Sequence, residues 1–332
     1  MRTVITMTAF LLCFGAATAI AQAVDVRMVG FEKILIDNGS ETPLQGGIWY
    51  PTSGRSAAQG NRPGVVSNAP VQGDHLPLIV LSHGGGGSYE GHHDTAIALA
   101  QAGFVVAAIN HSGDSYDGES KVLQLWRRPK QLHTLISYML GKWSERRILD
   151  HKKVGAFGFS NGGFTVLVAA GGIPDLTRIG AYCQAHRDHD LCTAMRRAGI
   201  DPRNLPIREP RDAWISDVRI KAIVAAAPAF GFTFDKQGLK NARIPIQIWR
   251  AKNDRHQPTP YYEEAVRAAL SVPPEYHVVP AAGHYDFLPP CDKRLAAAKP
   301  EICSSASGFD RAAFHAEFNV KVVEFFRAHL VD

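Results

Sequence analysis

The sequence predicts an α/β fold with a mostly parallel central sheet, helices on both faces and an inserted cap. Three observations carry this prediction. Leu76–Leu81, Phe104–Ile109 and, apart from Lys221, Ile220–Ala226 are apolar without alternation, as strands covered on both faces must be. Helical segments separate them, and strand–helix alternation builds a parallel sheet. The alternation is broken once, by a polar stretch from about Gly171 to Val218, too long for an ordinary connection in a compact domain. At 332 residues, 45% apolar and 20% charged, the chain suits one globular α/β domain.

In chain order, the N-terminus comes first. Arg2, the apolar run Val4–Ile20 and the small-x-small site Ala21-Gln22-Ala23 follow the three-part plan of a secretory signal peptide, which makes residues 1–23 a leader and 24–332 the mature domain. A permanent anchor is the rival reading, but the run is near the lower limit for spanning and a cleavage site follows it. A lipoprotein anchor fits poorly, because Cys13 follows Leu12 inside the apolar run.

Phe31–Ile36 and Gly47–Tyr50 read as an opening strand pair, and Gly54–Asp74, rich in Gly, Pro, Ser and Asn, as a loop. The strand Leu76–Leu81 follows, then a helix at Thr95–Ala102 and the strand Phe104–Ile109. Leu132–Leu140 has helical spacing, Lys153–Phe159 is a strand, and Gly163–Ala170 is a helix. Beyond the cap come strands at Ile220–Ala226 and Ile244–Trp249, a helix at Tyr261–Leu270, a short strand at Tyr276–Val279 and a closing helix at Phe314–Leu330.

Export gives the cysteines meaning. With Cys13 in the leader, Cys183, Cys192, Cys291 and Cys303 remain, and three pairings are open. Cys183–Cys192 and Cys291–Cys303 are favoured, because each closes a short local loop in an oxidising compartment. Zinc on Cys183, His186, His189 and Cys192 is the alternative, at a spacing unlike the paired-cysteine patterns of structural sites. The net charge of +5 is mild, and its basic pairs, Arg127-Arg128 among them, read as solvated surface, which argues against a nucleic-acid partner.

Chemistry concentrates in four places. Gly158-Phe159-Ser160-Asn161-Gly162 is a G-x-S-x-G pattern between a strand and a helix. A nucleophile on so tight a turn needs near-absent side chains two residues to either side, and glycine supplies them. His83-Gly84-Gly85-Gly86-Gly87 ends the strand Leu76–Leu81. Acyl transfer builds charge on a carbonyl oxygen, and the expected donors to it are the backbone amides of Gly85 and Asn161. The loop lacks the Lys-Ser/Thr ending of a phosphate loop and the spacing of a dinucleotide fingerprint. His83 reads as a structural residue of the loop.

The acid and base should follow the serine in that order. Asp254 stands in the loop after Ile246–Trp249; its other reading is a helix cap. His284 stands in the loop after the last strand and is the expected base, with Asp254 fixing its tautomer. His256 lies too close to the acid and His315 lies within the final helix, so His284 leads. Tyr285, Phe287 and Trp249 are candidates to line the site, with core packing an equal reading for the first two and the better one for Trp249. His92-His93-Asp94 and His111 with Asp114 match no strong metal-ligand spacing and read as solvated loop residues.

Taken in order, His83-Gly-Gly-Gly, Gly158-x-Ser160-x-Gly162, Asp254 and Gly283-His284 resemble the α/β-hydrolase superfamily. Leu78–His111 and the Ser160 elbow further resemble predicted dienelactone hydrolases and platelet-activating-factor acetylhydrolases. Dienelactone hydrolases proper carry cysteine at the elbow, and Ser160 here turns the expectation towards ordinary carboxylic esters. The resemblance implies an esterase working through an acyl-enzyme on Ser160, with short acyl groups preferred, a small-molecule ester as partner, and no metal or organic cofactor. Rivals are a serine peptidase or lactonase of the same fold and a non-catalytic relative that binds a ligand. No membrane insertion is expected after leader cleavage, and the sequence leaves oligomeric state open.

Overall fold

The computed structural model describes residues 28–54, 64–206 and 208–332, so the leader expected at 1–23 lies outside the described residues. An antiparallel pair, β1 (Met28–Ile36) and β2 (Leu44–Thr52), opens the described chain and is followed by a short strand, β3 (Val65–Ser67). Then come β4 (Leu76–Ser82), α1 (His93–Gln101), β5 (Val105–Ile109), α2 (Arg127–Gly141), β6 (Leu149–Phe159) and α3 (Asn161–Ala169). The inserted stretch carries α4 (Arg178–Ala185) and α5 (Asp190–Arg197). The rest is β7 (Ile220–Ala226), β8 (Ile246–Ala251), α6 (Glu263–Ala269), β9 (Glu275–Val279), α7 (Lys293–Ala298), α8 (Pro300–Cys303) and α9 (Arg311–Leu330).

The strands form one sheet in the order β3-β1-β2-β5-β4-β6-β7-β8-β9. From β5 to β9 every neighbour is parallel, while β2 is antiparallel to both β1 and β5. Two apolar cores explain the unbroken hydrophobic runs. In β4, Leu78 and Val80 face the core shared with α2, α3 and α6, whereas Ile79 and Leu81 face the core shared with α1 and α9. A strand in such a position has no solvent face on which a polar residue would be stable.

Three differences from the sequence reading have physical causes. The stretch Gly54–Asp74 is not all loop: Val65–Ser67 pairs in parallel with Val29–Phe31 at the sheet edge, where three residues suffice. Helix α2 starts at Arg127, ahead of its periodic apolar stretch, with Pro129 in the first turn, where no amide is needed for the helix ladder. The inserted stretch is not merely polar. Ile179, Tyr182, Cys183, Cys192 and Met195 join the core, and Tyr182 stacks on Phe232 at 3.9 Å between ring centroids.

Disulfides join Cys183 to Cys192 and Cys291 to Cys303, the pairing favoured on loop length. No described helix is long and apolar enough to cross a membrane.

Candidate active site

The strand order reverses about β4, whose neighbours are β5 on one side and β6 on the other. Ligands of open parallel sheets bind beside such a reversal, at the carboxyl ends of the strands. The glycine loop, Ser160, Asp254 and His284 follow the carboxyl ends of β4, β6, β8 and β9 respectively.

Ser160 connects β6 to α3 with φ 54° and ψ −117°, a conformation costly for any residue with a side chain. Its amide donates to Ala226 O at 2.9 Å, and its carbonyl accepts from Phe164 and Ala229, each at 3.0 Å. The flanking glycines are steric necessities. A Cβ on Gly158 would lie 2.0 Å from Gly162 O, and one on Gly162 would lie 1.8 Å from Ser82 O.

His284 Nε2 lies 3.1 Å from Ser160 Oγ, and its Nδ1 lies 2.7 Å from Asp254 Oδ2. A carboxylate only accepts, so Nδ1 carries the proton and Nε2 is left to accept from the serine hydroxyl. Asp254 caps no helix, because the next one, α6, starts only at Glu263; instead its Oδ1 orders the loop by accepting from the Gln257 amide at 2.8 Å. Burial pushes the Asp254 carboxyl up, but the charge and hydrogen bond of His284, with the Gln257 amide, outweigh it and hold its pKa below the usual value. The carboxylate is therefore ionised wherever the imidazole needs orienting.

Gly84–Gly87 form a turn in which the Gly87 amide donates to Gly84 O at 3.2 Å and Gly86 has φ 63°. Gly85 abuts the elbow: a Cβ there would lie 2.9 Å from Asn161 Nδ2. Among the described residues neither the Gly85 nor the Asn161 amide has a backbone acceptor. Both are therefore free to donate to an oxygen beside Ser160.

The cleft around Ser160 has a volume of about 410 Å³. Phe159, Phe230, Tyr262, Tyr285 and Leu288 supply apolar wall. Asp190, Leu191 and Ala194 reach it from α5, and Ile302 from α8, so each disulfide-bearing segment contributes to the rim.

The candidates to line the site divide between cleft and core. Tyr285 lines the cleft, Phe287 is buried against Phe314 and Phe318, and Trp249 stacks on His277 in the core, the place its strand favoured. His256 pairs with Asp190 of α5 at 2.9 Å, and His315 bonds Asp94 Oδ2 at 2.6 Å and Asp286 O at 2.9 Å. His92, His111 and Asp114 are buried, not solvated. His92 packs edge-on against Phe157 and Phe159, and burial depresses its pKa to about 4. Among the described residues no three of His, Cys, Asp and Glu gather as a metal site.

His83 is structural. Its Nε2 accepts from the His111 amide at 3.0 Å, so Nδ1 carries the proton and donates to Gly84 O at 2.6 Å. Arg128, read as surface, is 2% exposed beneath the same loop. Gln257 was not anticipated; its Nε2 donates to Ser160 Oγ at 3.2 Å. No sequence signal marks it beyond its place three residues after Asp254.

A family model described as alpha/beta hydrolase fold matches residues 77–191. A ferulic acid esterase from Streptomyces cinnamoneus superposes with a TM-score of 0.60 at 18% identity, over 94% of this chain and 92% of that one. No curated protein sequence matches the chain. The chain has the α/β-hydrolase fold.

Proposed function

We propose that this protein is an exported carboxylic-ester hydrolase that forms an acyl-enzyme on Ser160. The observation that carries the reading is the continuous contact from Asp254 through His284 to Ser160 Oγ, ending beside two unengaged amides. In the proposed reaction His284 Nε2 takes the hydroxyl proton as Oγ attacks the ester carbonyl. The resulting oxyanion accepts from the Gly85 and Asn161 amides. His284 returns the proton to the departing alcohol, and water repeats the sequence to release the acid. Asp254 fixes the imidazole tautomer throughout. Export is proposed from the leader pattern at residues 1–23, and the two disulfides support it.

Short acyl groups are the first proposal for substrate, from the resemblance of Leu78–His111 and the elbow to acetylhydrolases. The aromatic wall of Phe159, Phe230, Tyr262 and Tyr285 favours a second, an aromatic acyl group, and the structural neighbour bears the name of such an esterase. The segment 171–218 acts in either case as a cap that shapes specificity through Asp190, Leu191 and Ala194.

The test is hydrolysis of p-nitrophenyl esters from acetyl to dodecanoyl, and of methyl ferulate, by the mature protein and by Ser160→Ala. Turnover should drop by about 10⁴–10⁶ in the variant with the fold intact. Rates falling steeply with chain length support the short-acyl reading, and preference for the ferulate supports the aromatic one. A variant that keeps more than about a tenth of the activity overturns the assignment of Ser160.

A further inference from the structure

We infer that Arg128 and Asp114 are positioning residues that aim the Gly85 amide at the oxyanion. The inference rests on the esterase reading above and concerns a charge pair that takes no part in the triad.

Arg128 stands in the first turn of α2 and Asp114 in the loop after β5; they are 2% and 4% exposed. Arg128 Nε lies 3.0 Å from Asp114 Oδ2. Its Nη2 donates to His83 O at 2.8 Å and to Gly84 O at 3.2 Å. Asp114 Oδ1 accepts from the Gly86 amide at 3.2 Å, and its Oδ2 accepts from Asn161 Nδ2 at 3.4 Å. The pair thus grips residues 83, 84 and 86, and also reaches the residue after the nucleophile. The amide of residue 85 is left unengaged.

Peptide geometry turns this grip into aim. Gly84 C=O and Gly85 N–H belong to one planar trans unit, so they point in opposite directions. Gly84 O receives the His83 Nδ1 proton, the Gly87 amide and the Arg128 guanidinium. Held on that side, the peptide must present its N–H away from Arg128. Donation into the carbonyl also polarises the amide as a donor.

Charge explains why two residues are needed. A carboxylate organises Gly86 and Asn161 well, but by itself it would oppose the negative charge that develops in the transition state. Arg128 neutralises it within contact distance. Removing the arginine leaves a buried carboxylate unpaired beside the oxyanion, the costly arrangement for charges out of water.

The experiment compares Arg128→Met, Arg128→Lys, Asp114→Asn and the Arg128→Met/Asp114→Asn double variant, each checked for folding by thermal melting. The rate of Ser160 labelling by a fluorophosphonate is followed by intact mass, kcat and KM are measured on the best ester, and amide hydrogen exchange is followed over residues 83–87. Loss of one oxyanion donor costs about 10²–10³ in rate, so Arg128→Met should lose about 10²-fold in labelling and kcat with KM little changed. The double variant should regain about tenfold, because the unpaired charge is gone, and Arg128→Lys should fall between wild type and Arg128→Met. Folded Arg128 variants that label at the wild-type rate would overturn the inference, as would a loss confined to KM. If only Arg128→Lys folds, a kcat loss at unchanged KM supports the inference and unchanged kcat overturns it. Wild-type protein that fails to label at Ser160 refutes the serine-hydrolase reading instead. Exchange then decides the grip alone: faster exchange over 83–87 in the folded Arg128 variants supports it, and unchanged exchange overturns it.

Discussion

Two loops beside Ser160 rest on the same device, a buried arginine–aspartate pair, yet the pairs are wired to different things. Under the glycine loop, Arg128 and Asp114 bond the residues that flank the Gly85 amide. Under the base loop, Asp286 accepts from the Gly283 amide at 2.7 Å and pairs with Arg311 at 3.0 Å. Arg311 then donates to Ile302 O at 2.9 Å and Ser304 O at 3.0 Å, on either side of Cys303. In the proposed reaction the first pair lies where charge would develop. The second couples the histidine loop to the rim of the cleft. Under that proposal similar chemistry acts electrostatically in one place and mechanically in the other.

Breaking the base side at its reacting end should have the largest effect. Asp254→Asn should keep the fold but lower kcat by about 10⁴, because an amide no longer fixes the productive tautomer. A tenfold loss or less in steady-state kinetics would mean that Asp254 only orders its own loop. Next is Arg311→Met, which leaves Asp286 buried and unpaired. It should cost about 3–5 kcal/mol in denaturant unfolding, with kcat per folded molecule changing far less than in Arg128→Met. Equal kcat losses in the two would erase the distinction between the pairs.

The rim can be loosened without touching either pair. Replacing Cys291 and Cys303 by alanine should cost about 2.5–3 kcal/mol in the chain-entropy account, and the same holds for Cys183 and Cys192. Unchanged melting of the mature protein in reductant would contradict this.

Acid probes the glycine-loop side, where burial depresses the pKa of His92 to about 4 and those of His83 and His111 well below the usual value. Between about pH 6.5 and 4 the unfolded chain binds protons that folded His92 does not, so stability rises with pH and is lost on acidification. Melting at pH 4.5 should fall below that at pH 7 by about 2–4 °C for each kcal/mol lost, with a shallower slope in His92→Gln. An identical slope in that variant would remove His92 from the account.

Legibility followed the range of the interactions. That Ser160, Asp254 and His284 would converge was legible because each sits in a local pattern with a local cause: a tight elbow, a loop after a buried strand, a loop after the last strand. The place of Arg128 was not. In sequence it stands beside Arg127, and a basic pair at a helix start looks solvated; the partner that buries it comes from the loop after β5. Phe287 could be read equally as cleft or core beside His284, and only its ring's packing on α9 decided for the core. Gln257 had no pattern to betray it.

The sequence by itself determined the alternation of buried strands and helices, the strained elbow, the glycine loop, the order of Ser160, Asp254 and His284, and the local cysteine pairs. These depend on backbone sterics and on residues close in the chain. Only the tertiary structure decided which charges are buried, which aromatics meet the cleft rather than the core, and which segments close its rim. Such outcomes depend on contacts between residues far apart in sequence, where burial rather than local pattern fixes what a side chain can do.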